Sequence, residues 1–253
     1  MRQSNGYIIL FTAIMTVIVG GLLSLTSQGL APAQKKSIEL DTKSSILSSV
    51  MDREVLGKMK PNEVLTRYNE RITSLVVDIN GNEITSDEKG GAIVAEEVNI
   101  LKNYKRKPEE RQYPVFKYMS AENPDQVEAY ILPVYGAGLW DKIWGYVALD
   151  SELKTIVGVS FDHKAETPGL GARIGTPEIQ QRYVGKEIYN QKGELVSVTM
   201  VKGEGNAGLD DHHVDGLSGA TLTAKGVNAM LKNYLNAYQG YFKKLNSGAT
   251  ATL

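Results

Sequence analysis

The sequence predicts an α+β fold, with one N-terminal transmembrane helix followed by a soluble domain in which a largely antiparallel or mixed sheet packs against helices. Three observations carry this expectation. An uncharged apolar run fills 6–26, β-branched and aromatic runs recur after residue 115, and a long amphipathic stretch lies at 223–245. The expected organisation is a cytoplasmic N-terminus and anchor over 1–29, then a linker with helical and hairpin segments over 30–114. A binding domain follows over 115–245, and a flexible tail over 246–253.

The anchor is the run GYIILFTAIMTVIVGGLLSLT, flanked by Arg2 and by Lys35 and Lys36. About 20 apolar residues are what a helix needs to cross a bilayer core. A cleaved signal peptide is the competing reading, because APA at 31–33 offers small residues for cleavage. The run exceeds the usual signal core of about 7–15 residues, which favours a retained anchor. A short N-terminus kept in the cytoplasm sends residues 30–253 across the membrane.

Further along, LDTKSSILSSVM (40–51) predicts a short helix capped by Asp41 or Thr42, and PNEVLTRYNERI (61–72) a second, opened by Pro61. Asn80-Gly81 between two short strand-like runs predicts a hairpin over 75–85. A helix is expected over 92–104, then a solvated charge run over 105–114. Strands are expected in VEAYILPVY, WGYVALD, TIVGVSF and LVSVTMV, with a short helix over 177–185. In the last long helix, Val227, Met230, Leu231, Tyr234, Leu235, Tyr238, Phe242 and Leu245 recur at helical spacing, and this stripe predicts a core face.

Composition excludes several functions. The formal net charge of −1 lacks the basic excess that nucleic-acid binding requires. The absence of cysteine excludes disulfides and thiolate-ligated metal centres, so redox chemistry would need another kind of cofactor.

Three glycine-rich loops, YGAGLWD (135–141), HKAETPGLGA (163–172) and DGLSGATLT (215–223), read together as the walls of one site. None has the G-x-G-x-x-G spacing of a dinucleotide fold. Ser218, Thr221 and Thr223 offer hydroxyls, but no histidine is placed to activate them. His212 and His213 read as polar loop residues, so no metal is expected. Thr221 or Thr223 falls at the start of the last helix. That position suits either a phosphate on the free amides or a simple threonine cap.

With these residues in view, YGAGLWDKIWGYVALD, ETPGLG and VDGLSGATLTAKGV, in this order behind an anchor, resemble the NqrC family, the C subunits of the sodium-translocating NADH:quinone oxidoreductases. The resemblance implies a membrane-anchored electron-transfer protein on the path from NADH to ubiquinone, carrying covalent FMN and incompetent alone. It implies that a flavin transferase joins the FMN phosphate to Thr221 as a phosphoester, with Asp215, Gly216, Ser218, Gly219 and Ala220 completing the signature. Leu139, Trp140, Glu166, Thr167, Gly169 and Leu170 would line the flavin. The implied setting is a bacterial inner membrane, with the soluble domain on the periplasmic side, in the lipid bilayer beside redox-carrying membrane subunits. This chain has one residue more after His163 than the family's usual HGETPGLG, so no role carries over to His163. The G subunit of the Rnf complex is the alternative, and a non-redox envelope binding module a further one. The second SGAT, Ser247–Thr250, lacks the Asp-Gly prefix and is expected to be a disordered coincidence with Thr250 unmodified.

Overall fold

The structure is a computed structural model that describes residues 4–86 and 90–250. The chain divides into two compact units between Thr42 and Lys43.

The first helix, α1 (Asn5–Leu47), is continuous for 43 residues and is long and apolar enough to cross a membrane. The linker and separate helix expected before residue 51 are therefore absent, because both belong to α1. Pro32 lies inside it. An interior proline costs about 3 kcal/mol through a lost donor and a carbonyl clash. The Ala, Gln, Lys, Glu and Leu residues that follow are strong helix formers and carry the helix onward. It stops once Ile46 and Leu47 are buried. The Asp52 carboxylate then caps α2 (Arg53–Lys58), accepting from the Glu54 and Val55 amides at 2.7 and 3.2 Å. Pro61 opens α3 (Pro61–Arg71), which buries Val64 and Tyr68.

The sheet is an antiparallel meander in sequence order: β1 (Ile72–Val77), β2 (Tyr113–Met119), β3 (Val127–Ala137), β4 (Lys142–Asp150) and β5 (Ile156–His163). The expected 75–85 hairpin narrows to one bridge, Val77 to Glu83. Its Gly81 has φ +76°, and a Cβ there would lie 2.4 Å from the Tyr241 amide nitrogen. The helix expected over 92–104 is split. A 3-10 turn at Ala95–Glu97 is followed by α4 (Ile100–Tyr104), because the Asn99 side chain caps the Lys102 amide and starts a new helix.

The run 195–201 does not join the meander. Ser197 sits at φ +66°, a conformation that interrupts an extended chain. Before it Leu195 makes a single bridge to Tyr189, and after it Thr199–Met200 (β6) runs parallel to His213–Val214 (β7). A short α5 (Pro177–Gln181) precedes this pair.

The last helix, α6 (Thr221–Thr250), packs across β3. Val227, Leu231, Leu235, Tyr238 and Phe242 on its face join Val115, Leu132, Val134 and Val147 of the sheet in one buried core. Leu245 is only partly buried. The small polar tail expected from residue 246 is, as far as Thr250, a continuation of α6. Its last part, 251–253, lies outside the described residues.

Candidate functional site

The meander brings the first two glycine loops to one end of the sheet. β3 ends at Ala137 and turns through 138–141 into β4, while Ile143 of β4 pairs with His163 at the end of β5. The start of α6 passes over the same end. A Cβ on Gly226 would lie 2.3 Å from the Ala137 carbonyl oxygen, so only glycine permits this crossing.

Glu166, 3% exposed, ties the two loops to α6. One carboxylate oxygen accepts the Thr223 hydroxyl at 2.6 Å, and the other accepts the Trp140 amide at 3.0 Å. The Glu166 amide donates to His163 Nδ1 at 3.3 Å, and the Trp140 indole donates to Thr167 Oγ1 at 3.2 Å. A Cβ on Gly138 or Gly171 would fall within 2.5 Å of this carboxylate. The two glycines are thus what leaves room for it.

The signature loop is held from below. The Asp215 carboxylate accepts from the amides of Gly205, Asn206 and Gly216 and from the Asn206 side chain, at 2.8–3.0 Å. Partial burial opposes its charge, but these donors outweigh it and hold the carboxyl down to about 2. The Arg182 guanidinium donates to the carbonyls of Asp215 and Gly216 at 3.2 and 2.7 Å, and Glu204 accepts the Ser218 amide at 3.3 Å. Hydrogen bonds from Arg173 and then Arg182 hold Glu204 at about 2. A Cβ on Gly216 would lie 2.1 Å from the carbonyl oxygens of Val201 and Gly203, and Leu217 is buried.

Above this base the three candidate hydroxyls separate. Thr223 is buried against Glu166. Thr221 is the first residue of α6, preceded by Ala220, whose carbonyl accepts the Ala224 amide and which therefore stands at the N-cap. Alanine is a poor N-cap because it has no side-chain acceptor for the first amides. The threonine-cap alternative thus fails, and the amides at the positive end of a 30-residue helix lack a side-chain cap from residue 220. Among the described residues the Thr221 hydroxyl makes no hydrogen bond. Ser218 is exposed, but its amide lies against the Glu204 carboxylate, which repels an anion.

Gly219 sits at φ +71°, a conformation that favours glycine, and a Cβ there would lie 2.8 Å from Leu170 Cδ2. The second loop therefore touches the signature. Leu139, Trp140, Leu170 and Leu222 are exposed on the three loops and the start of α6. An open apolar surface beside a helix N-terminus fits a flat aromatic ring carrying a phosphate. FMN has that shape and charge. Thr167 and Gly169 lie in the exposed part of the second loop.

His212 and His213 direct Nδ1 to the Glu187 carbonyl and the Asp210 carboxylate, and neither bonds a signature hydroxyl. Arg173, Arg182 and Glu204 were not anticipated from the sequence. Apart from the local pairing of the arginines with Glu178, their partners lie up to 34 positions away along the chain.

Residues 138–236 match the family described as FMN-binding domain. Over most of its length the chain is similar to the C subunit of the Na(+)-translocating NADH-quinone reductase of Neisseria meningitidis serogroup A, with 33% identity covering 92% of this chain and 90% of the relative. The corresponding C subunit of Yersinia pestis is 29% identical over 98% and 96%. The crystal structure of the C subunit from Parabacteroides distasonis superposes with a TM-score of 0.69 at 37% identity, covering 84% of this chain and 96% of that one. NqrC of Shewanella oneidensis superposes with a TM-score of 0.68 at 25% identity, covering 85% and 99%.

Proposed function

Because this chain belongs to the NqrC family, the C subunits of Na(+)-translocating NADH-quinone reductases, we propose that it is the FMN-carrying electron-transfer subunit of such a complex. It works only with the other membrane subunits. The FMN phosphate is esterified to Thr221, put there by a flavin transferase during maturation. The observation that carries this reading is the division of labour among the hydroxyls: Thr223 is committed to Glu166, whereas Thr221 opens a long helix behind an alanine cap.

Bound FMN supplies the electron carrier, and the chain supplies position and electrostatics. The amides in the first turn of α6 would hold the phosphate. Trp140 and Leu170 offer apolar surface to the ring, and Glu166 fixes the Trp140 backbone against α6. Among the described residues no side chain bonds the Thr221 hydroxyl as a base, which supports attachment by an external transferase.

Helix α1 anchors the protein in the inner membrane by a single pass, with the soluble unit on the outer side. The absence of native cysteine makes placement easy to test. A single Lys192→Cys, in an exposed turn, is expected to react with an impermeant maleimide from outside the inner membrane; protection until that membrane is broken places the domain inside.

Flavin attachment is tested by peptide mapping of the full chain co-expressed with a flavin transferase. One FMN on the Thr221 peptide is expected. Unmodified Thr221 in protein made beside an active transferase defeats the assignment.

A further inference from the structure

The ionic network beneath the signature loop has a geometry that the attachment chemistry does not require. Arg173 lies in the 3-10 turn Gly171–Gly175, directly after Leu170, and both of its terminal nitrogens reach Glu204 at 2.7 and 2.9 Å. Glu204 also accepts Arg182 Nη2 at 2.9 Å and the Ser218 amide at 3.3 Å. Arg182 in turn grips the Asp215 and Gly216 carbonyls and pairs with Glu178 at 2.7 Å. One carboxylate therefore joins the loop that bears Leu170 to the loop that leads to Thr221. These are the two walls between which a flavin tethered at Thr221 would sit.

We propose that Arg182 and Glu204, with Arg173, are positioning residues that hold the 167–175 loop and the 215–219 loop at a fixed separation, so that the flavin ring has one seat. This rests on the FMN reading above, but it concerns the ring and not the ester bond. The side chains of Arg173 and Glu204 are each 24% exposed and that of Arg182 is 18% exposed, so the network is partly shielded from solvent screening. The arginines act as planar forks, which a lysine's point charge does not reproduce. Without the network the ester tether would persist, while the apolar wall at Leu170 would drift from Gly219. A supporting shell that is left loose blurs the geometry of the site it carries.

The test uses the full chain co-expressed with a flavin transferase and purified in detergent, comparing wild type with Arg182→Gln, Glu204→Gln and Arg182→Lys. Peptide mapping first establishes FMN on Thr221 in each. An unmodified wild type defeats the FMN reading itself and is recognised at this step. In modified protein, the visible circular dichroism of the flavin reports how rigidly the ring is seated. We expect the signal per flavin to fall about twofold or more in Arg182→Gln and Glu204→Gln, with Arg182→Lys restoring only part of it. Full signal in the two glutamine variants, or full restoration by lysine, overturns the proposal. Glu204→Gln keeps the side-chain volume, so it decides the question if Arg182→Gln does not fold.

Discussion

The Thr223 hydroxyl donates a 2.6 Å hydrogen bond to Glu166, a buried carboxylate whose other oxygen holds the Trp140 amide. The bond spans 57 positions of sequence and joins α6 to both glycine loops. Hydrogen bonds to a charged group contribute about 1.5–3 kcal/mol, so Thr223→Val should destabilise the soluble unit by that amount while keeping its shape. Thr223→Ser should restore most of it. Glu166→Ala should cost more, because it strands two donors and leaves a void beside Gly138 and Gly171. Denaturant unfolding at constant m-value measures all three. A loss under about 0.5 kcal/mol for Thr223→Val would mean that the bracket holds nothing.

Two helical glycines should respond to alanine with opposite signs. Alanine gains about 1 kcal/mol of helix propensity over glycine wherever there is room. Gly57 in α2 has nothing within 4 Å of its would-be Cβ, so Gly57→Ala should stabilise. A Cβ on Gly226 would lie 2.3 Å from the Ala137 carbonyl oxygen, and overpacking of this kind costs about 1–3 kcal/mol. Gly226→Ala should therefore destabilise on balance, and should disturb the crossing that places Thr221 over the sheet end. Equal shifts in the two melting temperatures would refute the close approach.

These pairs show what sequence reading reaches. The stripe from Val227 to Phe242 was legible because burial on one helix face imposes a period, and strands β3 to β5 because their side chains are β-branched and aromatic. The continuity of α1 through Pro32 was not legible, since one proline is both a breaker and a tolerable local cost. The 195–201 run was misread because it has strand composition, while Ser197 in the left-handed region stops the strand. At the site, the sequence put Thr221 or Thr223 at the start of the last helix, and the structure makes Thr221 its first residue. That Asp215 serves the 205–206 amides, and that Glu204 joins two loops, depends on contacts between distant segments that no local pattern encodes.

The duplicated SGAT gives a sharper test of what directs modification. The second copy lies within α6 rather than at its start, and Ser247 Oγ donates to the Lys244 carbonyl as helical interior serines do. Its backbone amides are inside the helical ladder and offer nothing to a phosphate. Thr221→Ala is expected to remove all covalent flavin, without transfer to Ser218 or Thr250, and Thr250→Ala to leave it unchanged. Peptide mass spectra of the three proteins decide. An adduct on Thr250 would show that the four residues suffice without a helix start.

The acid response should report the base of the signature loop. Asp215 and Glu204 both have folded values near 2, below their ordinary 3.8 and 4.5. With the folded value depressed, the unfolded chain binds protons first as pH falls, so stability drops with pH. The contribution is complete above about pH 4.5 and is lost progressively on the way to pH 2. Asp215→Asn and Glu204→Gln should flatten the decline of melting temperature across this window and leave the slope between pH 5 and 7 unchanged. Both carboxylates contact solvent, so 1 M salt should weaken the effect of Glu204 in particular, because its partners are arginines and not backbone amides alone. A decline that is the same in wild type and both variants would show that neither carboxylate is held by the loop it is seen to contact.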